Sequence, residues 1–161
     1  MRKNLLIGIV GALALSAPAY AQSAKDVVGT WDYVLADTVT PDGKRSPTFG
    51  AKLKGMVVFE ANGHYALIVT RSNLPKFASN NRLQGTPEEN KAIVLGSISH
   101  FGTYTVNEAD KTITFHIQAS TFPNWDGMDQ KRPFALSGDE LKYTVSAAAA
   151  GTAEVVLKRL K

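Results

Sequence analysis

The chain has 161 residues, 44% of them hydrophobic, with 18 Lys and Arg against 14 Asp and Glu, a formal net charge of +4 and no cysteine. That length provides one domain with a single core, and the charge of +2 that remains once the basic first residues are set aside is no electrostatic footprint for nucleic acid. Without cysteine there is no disulfide, thiolate nucleophile or Cys-ligated metal, and packing alone must hold the fold.

Taken in chain order, the first 21 residues read as a leader. "MRKN" is basic, "LLIGIVGALAL" is apolar, and "SAPAYA" places small residues at Ala19 and Ala21. This is the layout of a secretory signal peptide cut after Ala21. The apolar run is shorter than the roughly 20 residues a membrane span needs. The expectation is therefore a folded domain over residues 22–161, periplasmic or secreted, with no membrane segment after cleavage. Losing Arg2 and Lys3 lowers the formal charge from +4 to +2. Position 22 is Gln, so no lipid anchor is expected there.

The remainder alternates in short runs with turn signals between them, the pattern of antiparallel β-structure. "TWDYVLAD" (30–37) places Trp31, Tyr33 and Leu35 on one face. "MVVFE" (56–60) and "HYALIVTR" (64–71) flank "ANG", where Asn62 and Gly63 offer the left-handed residues of a hairpin. "GTYTV" (102–106), "KTITFHIQAS" (111–120), "KRPFAL" (131–136), "LKYTV" (141–145) and "AEVVLKRL" (153–160) complete eight strands. One segment, "TPEENKAIVLGSIS" (86–99), reads instead as a helix. Thr86 is its N-cap, Pro87 its first residue, and Glu88 and Glu89 lie at the positive end of its dipole. Val94, Leu95 and Ile98 share a face. The fold class expected is all-β: an eight-stranded antiparallel up-and-down barrel with one helix between the third and fourth strands. A barrel of that size is either filled by side chains or holds one small ligand.

No G-x-S-x-G, G-x-G-x-x-G, Walker A or H-E-x-x-H motif is present. His64, His100 and His116 have no spacing that pairs them on one element, so no metal site and no cofactor is expected. His64 reads as an exposed turn residue.

Several stretches carry a resemblance: "GTW" (29–31), "PDGKRSPTFG" (41–50), "KGMVVFEANGHYAL" (54–67), "NRLQGTPEE" (81–89), "HFGTYTVNE" (100–108) and "FPNWDGMDQKRPF" (122–134). In these the chain resembles the lipocalin-like domain family of bacterial and fungal proteins. The resemblance implies a calycin-type barrel whose Trp31 plugs the closed end; it implies no particular reaction.

Barrel strands point alternate residues inward. The phase set by Leu141, Tyr143 and Val145 and by Ala153, Val155 and Leu157 turns Gln130, Arg132, Phe134 and Leu136 inward. Tyr65, Leu67, Val69 and Arg71 share a face by the same count. Ile113, Phe115, Ile117 and Ala119 face in, which leaves His116 outward. Two arginines on apolar faces each need a partner. That partner is either a protein acid such as Asp126, Asp129 or Glu60, or an anionic ligand held by the planar guanidinium. Phe122 and Trp125 form a lid, or a plug, at the mouth.

The function expected is binding of a small, mostly apolar ligand, with an acidic head group as one form of it. The candidate ligand-binding residues are Tyr65, Arg71, Tyr104, Trp125, Gln130, Arg132, Phe134 and Tyr143. The alternatives are an enzyme of cyclase, isomerase or hydratase type acting inside the barrel, with His116 and Asp126 or Asp129 as its acid–base pair, or a filled barrel serving a structural or partner-binding role. The catalytic residues and the oligomeric state are not assigned.

Overall fold

The strands follow from the alternation of the sequence. In β4 (His64–Arg71), Tyr65, Leu67 and Val69 are buried while Ala66 and Ile68 face solvent. The structure is a computed structural model that describes residues 23–147 and 151–161. The leader expected over residues 1–21 lies outside the described residues. In chain order a short helix α1 (Ala24–Val27) is followed by β1 (Gly29–Val39), β2 (Arg45–Pro47), β3 (Leu53–Phe59) and β4. Next come helix α2 (Pro87–Gly96), β5 (Ser97–Asn107), β6 (Thr112–Ser120) and a 3-10 turn (Pro123–Trp125). The chain then runs through β7 (Asp129–Ser137), β8 (Glu140–Ala147) and β9 (Gly151–Arg159).

Neighbouring strands pair antiparallel in the order β1, β3, β4, β5, β6, β7, β8, β9, and β9 returns to β1. Eight strands thus close into a barrel, which leaves few free edges for a chain without disulfides. The ninth, β2, forms inside the first long loop and pairs with the end of β1 from Asp37↔Pro47 to Val39↔Arg45. With this extra strand the helix lies after β4, not between the third and fourth strands as the sequence led us to expect.

The helix is also shorter than expected. Thr86 caps it, its hydroxyl accepting the Glu89 amide while the Glu89 carboxylate accepts the Thr86 amide. It stops at Gly96, and residues 97–99 already belong to β5. Gly96 is buried and Ala92 and Ile93 are half-buried, whereas Val94 and Leu95 are exposed.

Two bulges reset the phase of the strands. In β1 the register jumps from Tyr33↔Leu157 to Leu35↔Val156, so Val34 is the extra residue. Leu35, expected inside, therefore pairs with outward Val156, and Ala36 takes the inner place. In β6 the register jumps from Gly102↔Ile117 to Phe101↔Ala119. Gln118 is extra there, and Ala119, expected inside, lies beside exposed Phe101. At the β3–β4 hairpin only Gly63 has positive φ, at +86°. Asn62 instead holds the turn by accepting the His64 amide through its side chain, and His64 is exposed as expected.

One end of the barrel is plugged. Trp31, Phe59, Ile113, Phe115, Leu141 and Leu157 are essentially inaccessible there. The Trp31 indole donates to the Val27 carbonyl at 2.8 Å. The Arg159 guanidinium lies 4.1 Å from the centre of a Trp31 ring and donates to the carbonyls of Val28 and Asp26.

Candidate functional site

At the other end the inner wall is not filled. A cavity of about 710 Å³ lies between the ends of β1, β4 and β8 and the starts of β5, β7 and β9. Its walls are mostly apolar, with Leu67, Val69, Ile98, Val145 and Val155 on the strands and Phe49, Phe122 and Trp125 at the rim. Its volume falls in the range of about 300–1,000 Å³ usual for small-molecule sites. Among the sequence-predicted residues, the cavity takes in Trp125, Gln130, Arg132 and Tyr143.

Four predicted residues do not line it. Tyr65 lies beneath His100. Tyr104 reaches toward the closed end, where its hydroxyl donates to the Glu60 carbonyl at 2.9 Å. Phe134 belongs to the packed core. Arg71 is at the rim in a separate hollow with Gly50, Lys52 and Asn73, because β4 ends where the wall turns outward into the loop.

The cavity's polar groups cluster around Arg132, which is only 3% exposed. Strand alternation aims it inward from β7, and Gln130, two residues earlier, shares its face. Its Nη2 donates to Gln130 Oε1 at 2.7 Å and to His100 Nε2 at 3.3 Å. The guanidinium carbon lies 4.0 Å from the Phe115 ring centre and 5.1 Å from that of Tyr143, two cation–π contacts that partly offset desolvation. The buried Nε has no partner among the described residues.

No carboxylate forms an ion pair with Arg132 among the described residues. Asp126 accepts the Ser120 amide at 2.7 Å. Asp129, one residue out of phase with Gln130, turns to the outer wall and meets His116 Nδ1 at 2.7 Å. Thr105 lies 3.2 Å from His116 Nε2. The acid–base pair considered from the sequence therefore forms, but on the outer wall: Asp129 also borders the cavity, whereas His116 does not line it.

His100 was missed as a site residue because the helix reading absorbed the start of β5. Counting back in twos from Tyr104 through Gly102 reaches it. Burial first, and the Arg132 charge second, push its pKa down to about 3. The ring is therefore neutral, and since Arg132 can only donate, Nε2 must accept. Nδ1 then carries the proton and donates to the Tyr65 hydroxyl at 2.7 Å. Tyr33 and Tyr143 face each other with their hydroxyls 3.0 Å apart, and burial raises both above the usual phenol range. The cluster is thus one permanent cation among neutral groups. Among the described residues, no group of three or more His, Cys, Asp or Glu is placed to hold a metal ion.

The chain is similar overall to several solved barrels. A redesigned β-barrel is 16% identical, with 89% of this chain and 100% of that one covered and a TM-score of 0.45. A de novo designed fluorescence-activating β-barrel is 14% identical, with 85% and 96% covered and a TM-score of 0.42. A mutant of the fluorescent protein UnaG is 10% identical, with 85% and 98% covered and a TM-score of 0.40. At these scores the likenesses bear on no ligand. No curated protein matches the sequence. The sequence model of the lipocalin-like domain matches residues 28–159, the span from the start of β1 to the end of β9, and the chain belongs to that family.

Proposed function

We propose that the barrel binds a small, mostly apolar molecule with an acidic head group, the head against Arg132 and the apolar body in the cavity above it. The observation that supports this reading best is the buried guanidinium of Arg132, which borders a mostly apolar cavity and forms no ion pair among the described residues, the bordering Asp129 being bonded to His116. A buried charge without a counter-ion is costly. A ligand anion removes that cost and gains charge-assisted hydrogen bonds.

The hydrogen bonds still unmade argue for the same ligand. The Arg132 Nε–H has no acceptor. In the Tyr33–Tyr143 pair one hydroxyl proton bridges the two oxygens and the other is left over. The cluster has donors to spare, so it favours a head group that only accepts. Gln130 holds the guanidinium in place, and Trp125 and Phe122 wall the mouth.

A displacement titration with a carboxylate, an alcohol and an amine of one chain length tests this. The carboxylate should bind at least about tenfold tighter than the alcohol, as one charge-assisted contact of about 1.5–3 kcal/mol requires, with the amine weakest. Equal affinities would overturn the head-group assignment, and no binding by any of the three would overturn the container reading. The leader motif supports a site of action outside the cytoplasm. N-terminal sequencing of the natural protein should begin at Gln22, and a chain beginning at Met1 would contradict export by cleavage.

A further inference from the structure

The rim of the barrel has one side built unlike the rest. Residues 43–59 contain Lys44, Arg45, Lys52 and Lys54 and no acid, and residues 61–87 contain Arg71, Lys76 and Arg82 and no acid. Of these seven cations only Arg45 forms an ion pair among the described residues, with Asp37 and Glu154. The nearest acids along the chain are tied elsewhere or project from the helix start: Glu60, between the two stretches, accepts from the Asn62 side chain. Asp42 accepts from Thr40, Glu89 accepts the Thr86 and Ala78 amides, and Glu88 is exposed in the first turn of α2.

The same side exposes apolar side chains that a water-facing loop and helix have no use for. Leu83 is 80% exposed, Val94 74% and Leu95 61%. The last turns of α2 are thus apolar all round, with Gly96 buried, Ala92 and Ile93 half-buried and Val94 and Leu95 exposed. A surface helix normally shows solvent its polar face.

These two features meet at one place. Gly96, the residue after Leu95, lies against Arg71 and Leu74, so closely that a Cβ there would be 3.5 Å from the Arg71 Cβ. Arg71 in turn shares a hollow of about 390 Å³ with Lys52 and Asn73, and its buried Nε is without a partner among the described residues.

We propose that this side of the mouth docks on an anionic lipid surface. Val94, Leu95 and Leu83 enter the interfacial layer, and Arg71 and Lys52 take a lipid phosphate, with Lys76 and Arg82 adding attraction from the loop. Exposed apolar side chains flanked by cations are the combination that binds such interfaces, and each Lys or Arg near an anionic surface strengthens binding about fivefold. The cavity opens at this rim, so an apolar ligand could pass between lipid and barrel with little exposure to water.

Co-sedimentation with lipid vesicles tests the proposal. The protein isolated from its own host is mixed with phosphatidylcholine vesicles, or with vesicles that also contain phosphatidylglycerol. Parent and variants share one N-terminus, so any contribution of residues 1–22 cancels between them. The parent should bind the mixed vesicles, more weakly as salt rises, and the neutral ones far less. Lys76→Gln with Arg82→Gln should weaken binding by at least about tenfold. Val94→Ser with Leu95→Ser should weaken it without changing charge while keeping the parent's affinity for the carboxylate probe, which separates this docking from the head-group reading. All the docking positions are exposed or at the rim, and unchanged melting temperatures verify that each variant is folded. Equal binding to both vesicle types, or none to either, overturns the proposal. Full displacement by inorganic phosphate would mark a small-anion site and overturn it. So would a parent dimer that the Val94→Ser, Leu95→Ser variant abolishes, since a second copy would then cover this face.

Discussion

Arg132 and His100 share one small space but must not share a charge. The histidine stays neutral with a pKa of about 3, against an ordinary value of 6.5. Unfolded, the same ring takes up a proton as pH falls through about 6.5, while folded it does not. Between those values the unfolded state binds more protons, so stability falls as pH is lowered. Asp26, Asp42 and Glu89, all held below their ordinary values, lose their contributions only at lower pH. The interval from about 6.5 down to about 4.5 therefore reports mainly on His100, and its cost there is about 2–3 kcal/mol. Urea midpoints measured across this interval should fall steeply for the parent and much less for His100→Gln. Identical slopes would show that His100 titrates in the folded protein as it does in the unfolded chain.

Strand phase decides which residues can form a site, and two bulges decide the phase. The bulge in β6 faces Gly102, where a Cβ would stand 2.0 Å from the His116 carbonyl oxygen and 2.9 Å from the Gln118 nitrogen. Gly102→Ala must push that backbone aside, so the denaturation midpoint should drop by an amount equivalent to about 1–3 kcal/mol; an unchanged midpoint would show that the bulge yields freely. Plain alternation made much of the site legible in the sequence. Gln130, Arg132 and Tyr143 face the cavity in the phase read from β7 and β8. What alternation could not show was any place where the pleat slips. Leu35 was misplaced because Val34 bulges, and Ala119 because Gln118 does. His100 was hidden for another reason: apolar Val94, Leu95 and Ile98 fit a helical period, although Ile98 already belongs to the strand. Arg71 fitted the inner phase of β4 but ends the strand at the rim, and periodicity carries no information on where a wall stops.

As a whole the molecule is a barrel stoppered at one end and open at the other. The stopper is Trp31, fully buried, anchored to Val27 and covered by Arg159. Trp31→Ala should cost about 3–5 kcal/mol, read as a markedly lower denaturation midpoint, and a shift of a few tenths would contradict its role as plug. The open half is a container with a charged base, and its charge has no answer within the described protein. The most direct measurement of that claim is the unfolding free energy and the carboxylate-probe affinity of Arg132→Met, determined together. With a ligand as the missing counter-ion, stability should stay within about 1 kcal/mol of the parent or rise, as replacing a buried charge by an apolar side chain allows. Probe affinity should fall at least about tenfold. A loss of about 3–5 kcal/mol in stability would reveal an acid of the protein itself as the partner, and unchanged probe affinity would place the head group elsewhere; either result contradicts the account.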